Sequence, residues 1–276
     1  AHQEPALSLS AAEQQHYQTH GYVIPEYTLP AAQLESLRNA LEDVLAANPD
    51  VRPEKLVSVH LSGQGGEGVA GHQAFLDIAK DPKLLDIVEG VLGPDIILWG
   101  CHAFCKPGVD GLEVPWHQDG QYWPIRPLAT CTVWIAIDAS DRENGCLRVL
   151  PGSQRAQTLF DHYVDEREDL TLTNAIEPHH MEDHEPADVE LEPGQMSLHD
   201  IYMVHGSNAN RSPRRRAGLA IRYMPATSLF DRDMYRTSDA SGFLVDFSRR
   251  PLWLLRGEDK NGGNNFEIGH FPQEHT

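Results

Sequence analysis

From about residue 95 onward the chain reads as short β-rich runs, IILWGCHAF, TCTVWIAID, CLRVL, QMSLHDIYMVH and AGLAIRYM, separated by Gly, Pro, Asn and Asp. Helices come first and many short strands follow without helices between them, a pattern that points to an antiparallel barrel or jelly roll. The part before residue 95 has helical periodicity. Ser10-Ala-Ala-Glu13 is a capping box, and Leu34, Leu37, Leu41, Val44 and Leu45 form an apolar stripe. Asp81-Pro82 and Gly93 bracket a further helix with Leu84, Val88, Val91 and Leu92 on one face. The predicted fold is mainly β with flanking α: a double-stranded β-helix (jelly roll, cupin-like) with the N-terminal helices packed outside. The 276 residues are read as a single domain, helical over about 1–94 and jelly roll over about 95–276. Two excursions stand out, a glycine-rich loop at 61–71 and an acidic, strand-poor insertion at roughly 160–188.

Composition narrows the partners. A formal net charge of −19 repels phosphate backbones and anionic lipid, which argues against nucleic acid and membrane. No apolar run approaches the roughly 18 to 20 residues that cross a bilayer. The first residues, AHQEPALSLS, have neither a basic head nor an apolar h-region. Cys101, Cys105, Cys131 and Cys146 lie in or beside apolar runs without a CxxC pair, which reads as reduced thiols in a cytoplasmic protein.

The chemistry begins at PWHQDGQYW, residues 115–123. In an extended segment residues two apart point to the same side, so His117 and Asp119 can offer an imidazole and a carboxylate to one point. His-x-Asp alone is a common pattern, and a third ligand is needed to give it meaning. His205 supplies it, at the end of an apolar run and before Gly-Ser. Two neutral imidazoles and one carboxylate make a facial triad that leaves three coordination positions open, which suits non-haem Fe(II). A bidentate 2-oxo acid and dioxygen can take those positions. A guanidinium on a neighbouring strand can then grip the far carboxylate of 2-oxoglutarate bidentately. Arg216, Arg214, Arg215 and Arg222 all stand in the next strand region, and alternation puts Arg222 on the same side as Arg216.

These blocks resemble the phytanoyl-CoA dioxygenase family of Fe(II)/2-oxoglutarate-dependent oxygenases. The likeness is densest in WHQDGQYWPIRP (116–127), TVWIAID…ENGCLRVLPGS (132–153) and HGSNANRSPRRR (205–216), and extends to YQTHGYVIPE (17–26). It implies iron ligands His117, Asp119 and His205, with Arg216 and Ser207 on the distal carboxylate of 2-oxoglutarate. It further implies that Gln118 and Trp134 lie near the cosubstrate, and that His102 lines its pocket; a family lysine is not evident there. His60 is a weaker candidate of the same type. The carboxylate of Asp119 implies hydroxylation, since related halogenases carry a small residue at that position.

Trp116, Tyr122 and Trp123 are candidates for the substrate pocket, as an aromatic cage for a quaternary ammonium group or as ordinary family aromatics. His199 stands six residues before His205, where alternation allows it to face the same side, though core packing is the favoured role. His179, His180 and His184 read as part of a solvated acidic loop. The predicted activity is hydroxylation of an unactivated C–H of a small polar metabolite, cationic or phosphonate-type, with release of succinate and CO2. Alternatives are an acyl-CoA or secondary-metabolite hydroxylase of the same family, a cupin-like metal isomerase working without 2-oxoglutarate, and a catalytically silent binding barrel. The strongly acidic chain speaks against the CoA phosphates.

Overall fold

The structure is a computed structural model that describes residues 8–62, 68–120, 123–234 and 247–270. Part of the glycine-rich loop and Tyr122 therefore lie outside the described residues. Four helices come early: α1 (Ala11–His20), α2 (Ala31–Ala47), α3 (Gln73–Ala79) and α4 (Pro82–Leu92). The capping box at Ser10 forms as the sequence predicts, with both reciprocal hydrogen bonds present. The first half of the chain contributes strands β1 (Tyr22–Val23), β2 (Leu56–Val57), β3 (Ile96–Lys106), β4 (Val114–His117), β5 (Ile125–Arg126) and β6 (Cys131–Ala136). The second half adds β7 (Leu147–Val149), β8 (His162–Val164), β9 (Asn174–Ile176), β10 (Ala187–Asp188) and β11 (Met196–Asp200). It ends with β12 (His205–Ser207), β13 (Arg216–Pro225), β14 (Leu229–Phe230) and β15 (Trp253–Arg256).

The strands form two principal sheets. The larger runs β1-β11-β6-β13-β3-β15 with β2 added beside β3, and the smaller runs β10-β7-β12-β4. All the pairings within them are antiparallel. Period-two alternation gives the larger sheet two chemically different faces. Ala217, Leu219, Ile221 and Tyr223 of β13 join Cys131, Val133 and Ile135 of β6 in one core with Leu37, Leu41, Leu84 and Val88 from the helices. The helices thus cover the outer face, and burying each such side chain stabilises the pair of layers by about 1.5–3 kcal/mol. The opposite face carries Thr132, Trp134, His102, Phe104, Arg216, Ala220 and Arg222, all of which line an internal cavity.

The insertion departs from the sequence reading. Residues 160–188 are not strand-poor: β8 and β9 pair as an antiparallel ribbon, and β10 joins the smaller sheet through β7. Each strand of this ribbon is only three residues long and the run of charges at 165–169 falls in its connection, so no alternating apolar face marks it. Among the described residues no helix is long and apolar enough to cross a membrane.

Candidate active site

His117 is the last residue of β4 and His205 the first of β12, and the two are register partners across the smaller sheet. Their ring centroids are 4.3 Å apart. Asp119 is not on the strand. The chain leaves β4 after His117 and turns at Asp119-Gly120, where Gly120 has φ +64° and a Cβ would meet Ile201 Cγ1 at 2.9 Å. The turn brings Asp119 Oδ1 to 3.3 Å from His117 Nε2 and Oδ2 to 3.5 Å from His205 Nε2. The three ligand atoms lie within 4.8 Å of one another.

Both rings are oriented by the same local device. His117 Nδ1–H donates to the Pro115 carbonyl at 2.8 Å, and His205 Nδ1–H donates to the Met203 carbonyl at 3.0 Å. The tautomer that makes these bonds leaves each Nε2 lone pair aimed at the common point, as metal ligation requires. Burial pushes the His205 imidazole down to about 3, so it is neutral at ordinary pH. For Asp119 burial acts in the opposite sense, but His205, His117 and His199 outweigh it and hold the carboxyl well below its usual range. Two imidazole nitrogens and one carboxylate oxygen, clustered and open to a cavity, fit an octahedral metal of the Fe(II) type with vacant positions.

The cavity measures about 700 Å³ and runs between the two sheets. Beyond the triad lies Arg216, 3% exposed, whose guanidinium stands 5.2 Å over the Trp134 ring. Its Nε is buried without a hydrogen-bond partner, and so is Ser207 Oγ. Burial lowers the Arg216 guanidinium to about 10, which leaves it charged at neutral pH. Gly218 permits this arrangement: a Cβ there would strike the Trp134 ring at 2.0 Å. A fixed cation and a hydroxyl, both unsatisfied at one end of a cavity, are what the distal carboxylate of 2-oxoglutarate would complete.

The other predicted residues divide. Trp134, His102, Gln118 and Trp123 line the cavity. His102 stacks on Phe104 with centroids 3.8 Å apart, and its Nε2–H donates to the Glu54 carbonyl at 3.1 Å. Gln118 has its amide committed elsewhere: Nε2 donates to the Thr158 and Tyr202 carbonyls, and Oε1 accepts from Phe160 N–H. Its own N–H donates to His162 Nε2 at 3.1 Å. Gln118 therefore anchors the start of the β8–β9 ribbon rather than offering its side chain to a cosubstrate.

Trp116 faces outward with Arg148 5.3 Å over its ring, and lines a separate surface pocket. This corrects the expectation, for a physical reason: Trp116 adjoins His117 in the same strand, and adjacent residues face opposite ways. His60 is also outside the cavity lining. It is 1% exposed and packs edge-on against Trp253, with burial lowering it to about 3. Asp161, His179 and His180 have ligand atoms close together on the surface, where His180 stacks on Phe160.

Three further contributors stand here: Lys106 is not identified from sequence, His199 is read there as core packing, and Arg222 is read only as a rival of Arg216. His199 Nε2 lies 3.7 Å from Asp119 Oδ2, and neither ring nitrogen has a hydrogen-bond partner. Its alternation with respect to the core was legible, but its approach to Asp119 depends on the β11–β6 pairing. Lys106, cross-strand from Arg216, is fully buried with its ammonium on the Asn208 carbonyl. Arg222 enters the cavity beside Trp99 and Trp123.

On this β fold, an open His-Asp-His cluster beside a buried guanidinium and hydroxyl is the site of a non-haem iron, 2-oxoglutarate-dependent dioxygenase, for which O2 is the oxidant. Comparison with known proteins agrees. The family profile described as phytanoyl-CoA dioxygenase (PhyH) matches residues 17–218. A probable phytanoyl-CoA dioxygenase from Caenorhabditis elegans is 28% identical over 238 residues, 78% of this chain and 75% of that protein. An ectoine dioxygenase from Sphingopyxis alaskensis is 24% identical over 245 residues, 81% of this chain and 78% of the relative. In fold, the chain is similar to EctD from S. alaskensis solved with 2-oxoglutarate and 5-hydroxyectoine, with a TM-score of 0.67 and 19% identity over 98% of this chain and 89% of that one. The chain belongs to the phytanoyl-CoA dioxygenase family.

Proposed function

We propose that the protein hydroxylates an unactivated C–H bond of a small polar metabolite, consuming 2-oxoglutarate and O2 and releasing succinate and CO2. The two sheets are then the halves of a double-stranded β-helix, and residues 1–276 form one catalytic domain. His117, Asp119 and His205 hold Fe(II), while Arg216 and Ser207 hold the distal carboxylate of 2-oxoglutarate. The observation that carries this reading is Arg216: a buried guanidinium with no ion pair to the protein, in the same cavity as an open triad.

Bound iron would supply the activation of dioxygen against a C–H bond, chemistry that no side chain here can perform. The chain's own residues do the rest. The Pro115 and Met203 carbonyls fix the ligand tautomers, Trp134 and Gly218 shape the floor beneath the cosubstrate, and the apolar lining keeps water from the reacting atoms. A cavity of about 700 Å³ suits 2-oxoglutarate and one small substrate. It has little room for an acyl-CoA, whose phosphates the net charge of −19 also disfavours. Buried, unpaired cysteines support a cytoplasmic setting.

The test is anaerobic addition of Fe(II) and 2-oxoglutarate to the apoprotein, watching for the weak visible charge-transfer band of the chelate. Wild type is expected to form it, and His117→Ala and His205→Ala to lose it. Arg216→Ala should retain iron but weaken 2-oxoglutarate by about 10- to 100-fold, the loss of a charge-assisted pair. No band in wild type would overturn the cosubstrate assignment.

A further inference from the structure

Among the described residues, Arg216 and Arg222 are the two arginines with neither a hydrogen bond nor an ion pair. Their neighbours are otherwise satisfied: Arg215 holds Asp138 and Glu42, Arg214 holds Asp141, and Arg148 holds Asp188. Arg216 has a cosubstrate to explain it under the reading above. Arg222 has none.

The position of Arg222 says what it faces. It is six residues from Arg216 on β13, on the same side of the sheet, which separates their Cα atoms by about 20 Å. In register with it across the sheet are Thr132 of β6 and, beyond that, His199 of β11, the residue that reaches Asp119. Arg222 therefore stands at the metal-ligand level of the cavity, on the far side of the triad from Arg216. A five-carbon diacid anchored at Arg216 cannot also neutralise it. The charge of Asp119 offsets part of its burial, yet the two side chains form no ion pair.

The aromatic residues around it hold the guanidinium in place. Its Cζ lies 5.0 Å over the Trp123 ring and 5.7 Å over the Trp99 ring, and those two rings meet edge-to-face at 4.5 Å. Stacking on them orients the planar fork while leaving its N–H edge free of protein acceptors. The rings are thus already occupied by a cation of the chain. A quaternary ammonium substrate would find them taken and would be repelled by Arg222.

We infer that Arg222 is a specificity-determining residue that binds an oxyanion of the substrate, a carboxylate or phosphonate-type group, and so sets which carbon stands before the metal. The inference rests on the assignment of the triad and Arg216 given above. The substrate class is a small acid with its reactive C–H a short distance from the oxyanion. The bidentate fork of arginine matches either kind of oxyanion.

The test uses the full chain loaded anaerobically with Fe(II) and saturating 2-oxoglutarate, titrated with propionate, ethylphosphonate or tetramethylammonium at constant ionic strength. Calorimetry and the shift of the chelate band report binding. Both anions are expected to bind at least tenfold tighter than tetramethylammonium, and the tighter of the two identifies the oxyanion. Arg222→Gln should weaken them tenfold or more with unchanged affinity for 2-oxoglutarate, and Arg222→Lys should restore part of the loss. Because Arg222 is buried with no hydrogen-bonding or ionic partner in the protein, a cost that outweighs its stacking on the two rings, the melting temperature of Arg222→Gln should hold or rise. Undiminished anion binding in Arg222→Gln, preferential binding of tetramethylammonium, or a loss of 2-oxoglutarate affinity on that substitution would each overturn the inference. A lowered melting temperature would do the same by revealing a structural role. If wild type forms no chelate, the preceding assignment fails by itself; the anions are then titrated into apoprotein, where Arg222→Gln must still weaken them.

Discussion

Three imidazole nitrogens lie within 3.7 Å of the Asp119 carboxylate, although a facial triad uses only two of them. His199 is the extra one, and its place beside Oδ2 makes it a positioning residue for the carboxylate. His199→Phe keeps the bulk and removes the nitrogens, and should weaken Fe(II) about tenfold with the ligands intact, measured by competition with a metal-binding dye. A second substitution probes the cosubstrate end. Gly218→Val forces the Trp134 ring out of its seat and should abolish 2-oxoglutarate binding while the triad still binds metal, read by the same dye. The ligands themselves were legible in the sequence because their chemistry is carried by residue type. Strand alternation alone did not separate Arg216 from Arg222, since six residues along a strand keep the same face; the resemblance singled out Arg216. Trp116 shows the converse, since adjacency to His117 in one strand sends it to the outer side.

Between the triad and the ribbon stands a single amide. Gln118 sits between two ligands in sequence and fastens Thr158, Phe160 and Tyr202 with its side chain. Val164 and Asn174 of the ribbon, with Thr171, Leu172 and Thr173 of its connection, line the cavity. Gln118→Leu removes three hydrogen bonds worth about 1 kcal/mol each. Hydrogen exchange over residues 158–176 is then expected to rise on the order of a hundredfold, with little change in the larger sheet. Unchanged exchange would show that the ribbon is held by other contacts. Helices α2 and α4 and the long strands were readable from their apolar patterning and α1 from its capping box, whereas the seven-residue α3 was too short to show a stripe. The ribbon was not, for its stability comes from a glutamine whose partners are forty and eighty-four residues away.

Across the molecule, charge is distributed in a telling way. The chain as a whole carries −19, while three basic side chains are drawn inward, Arg216 and Arg222 into the cavity and Lys106 across the strand from Arg216. Burial, and next the nearby Arg216, lower Lys106 to about 6. Below that value the ammonium is charged in both folded and unfolded states, and its burial penalty is complete. As pH rises from about 6 towards the ordinary lysine value the unfolded chain binds the extra proton, and the penalty fades. Lys106→Met should accordingly show its best stability relative to wild type near pH 6 and lose that advantage towards pH 10. Chemical denaturation across this range measures the slope; a difference independent of pH would mean that Lys106 titrates normally.

The two unpartnered guanidiniums have a consequence for the molecule at rest. Buried guanidiniums that no carboxylate of the chain pairs with directly are a local frustration, tolerated because selection acted on what the cavity holds rather than on the empty fold. The unliganded chain is then the least settled form of the protein, and each acid that enters relieves a different part of the conflict. Melting temperature becomes a means of finding the missing substrate: with 2-oxoglutarate already saturating, the compound that raises it again is the one Arg222 was placed to meet.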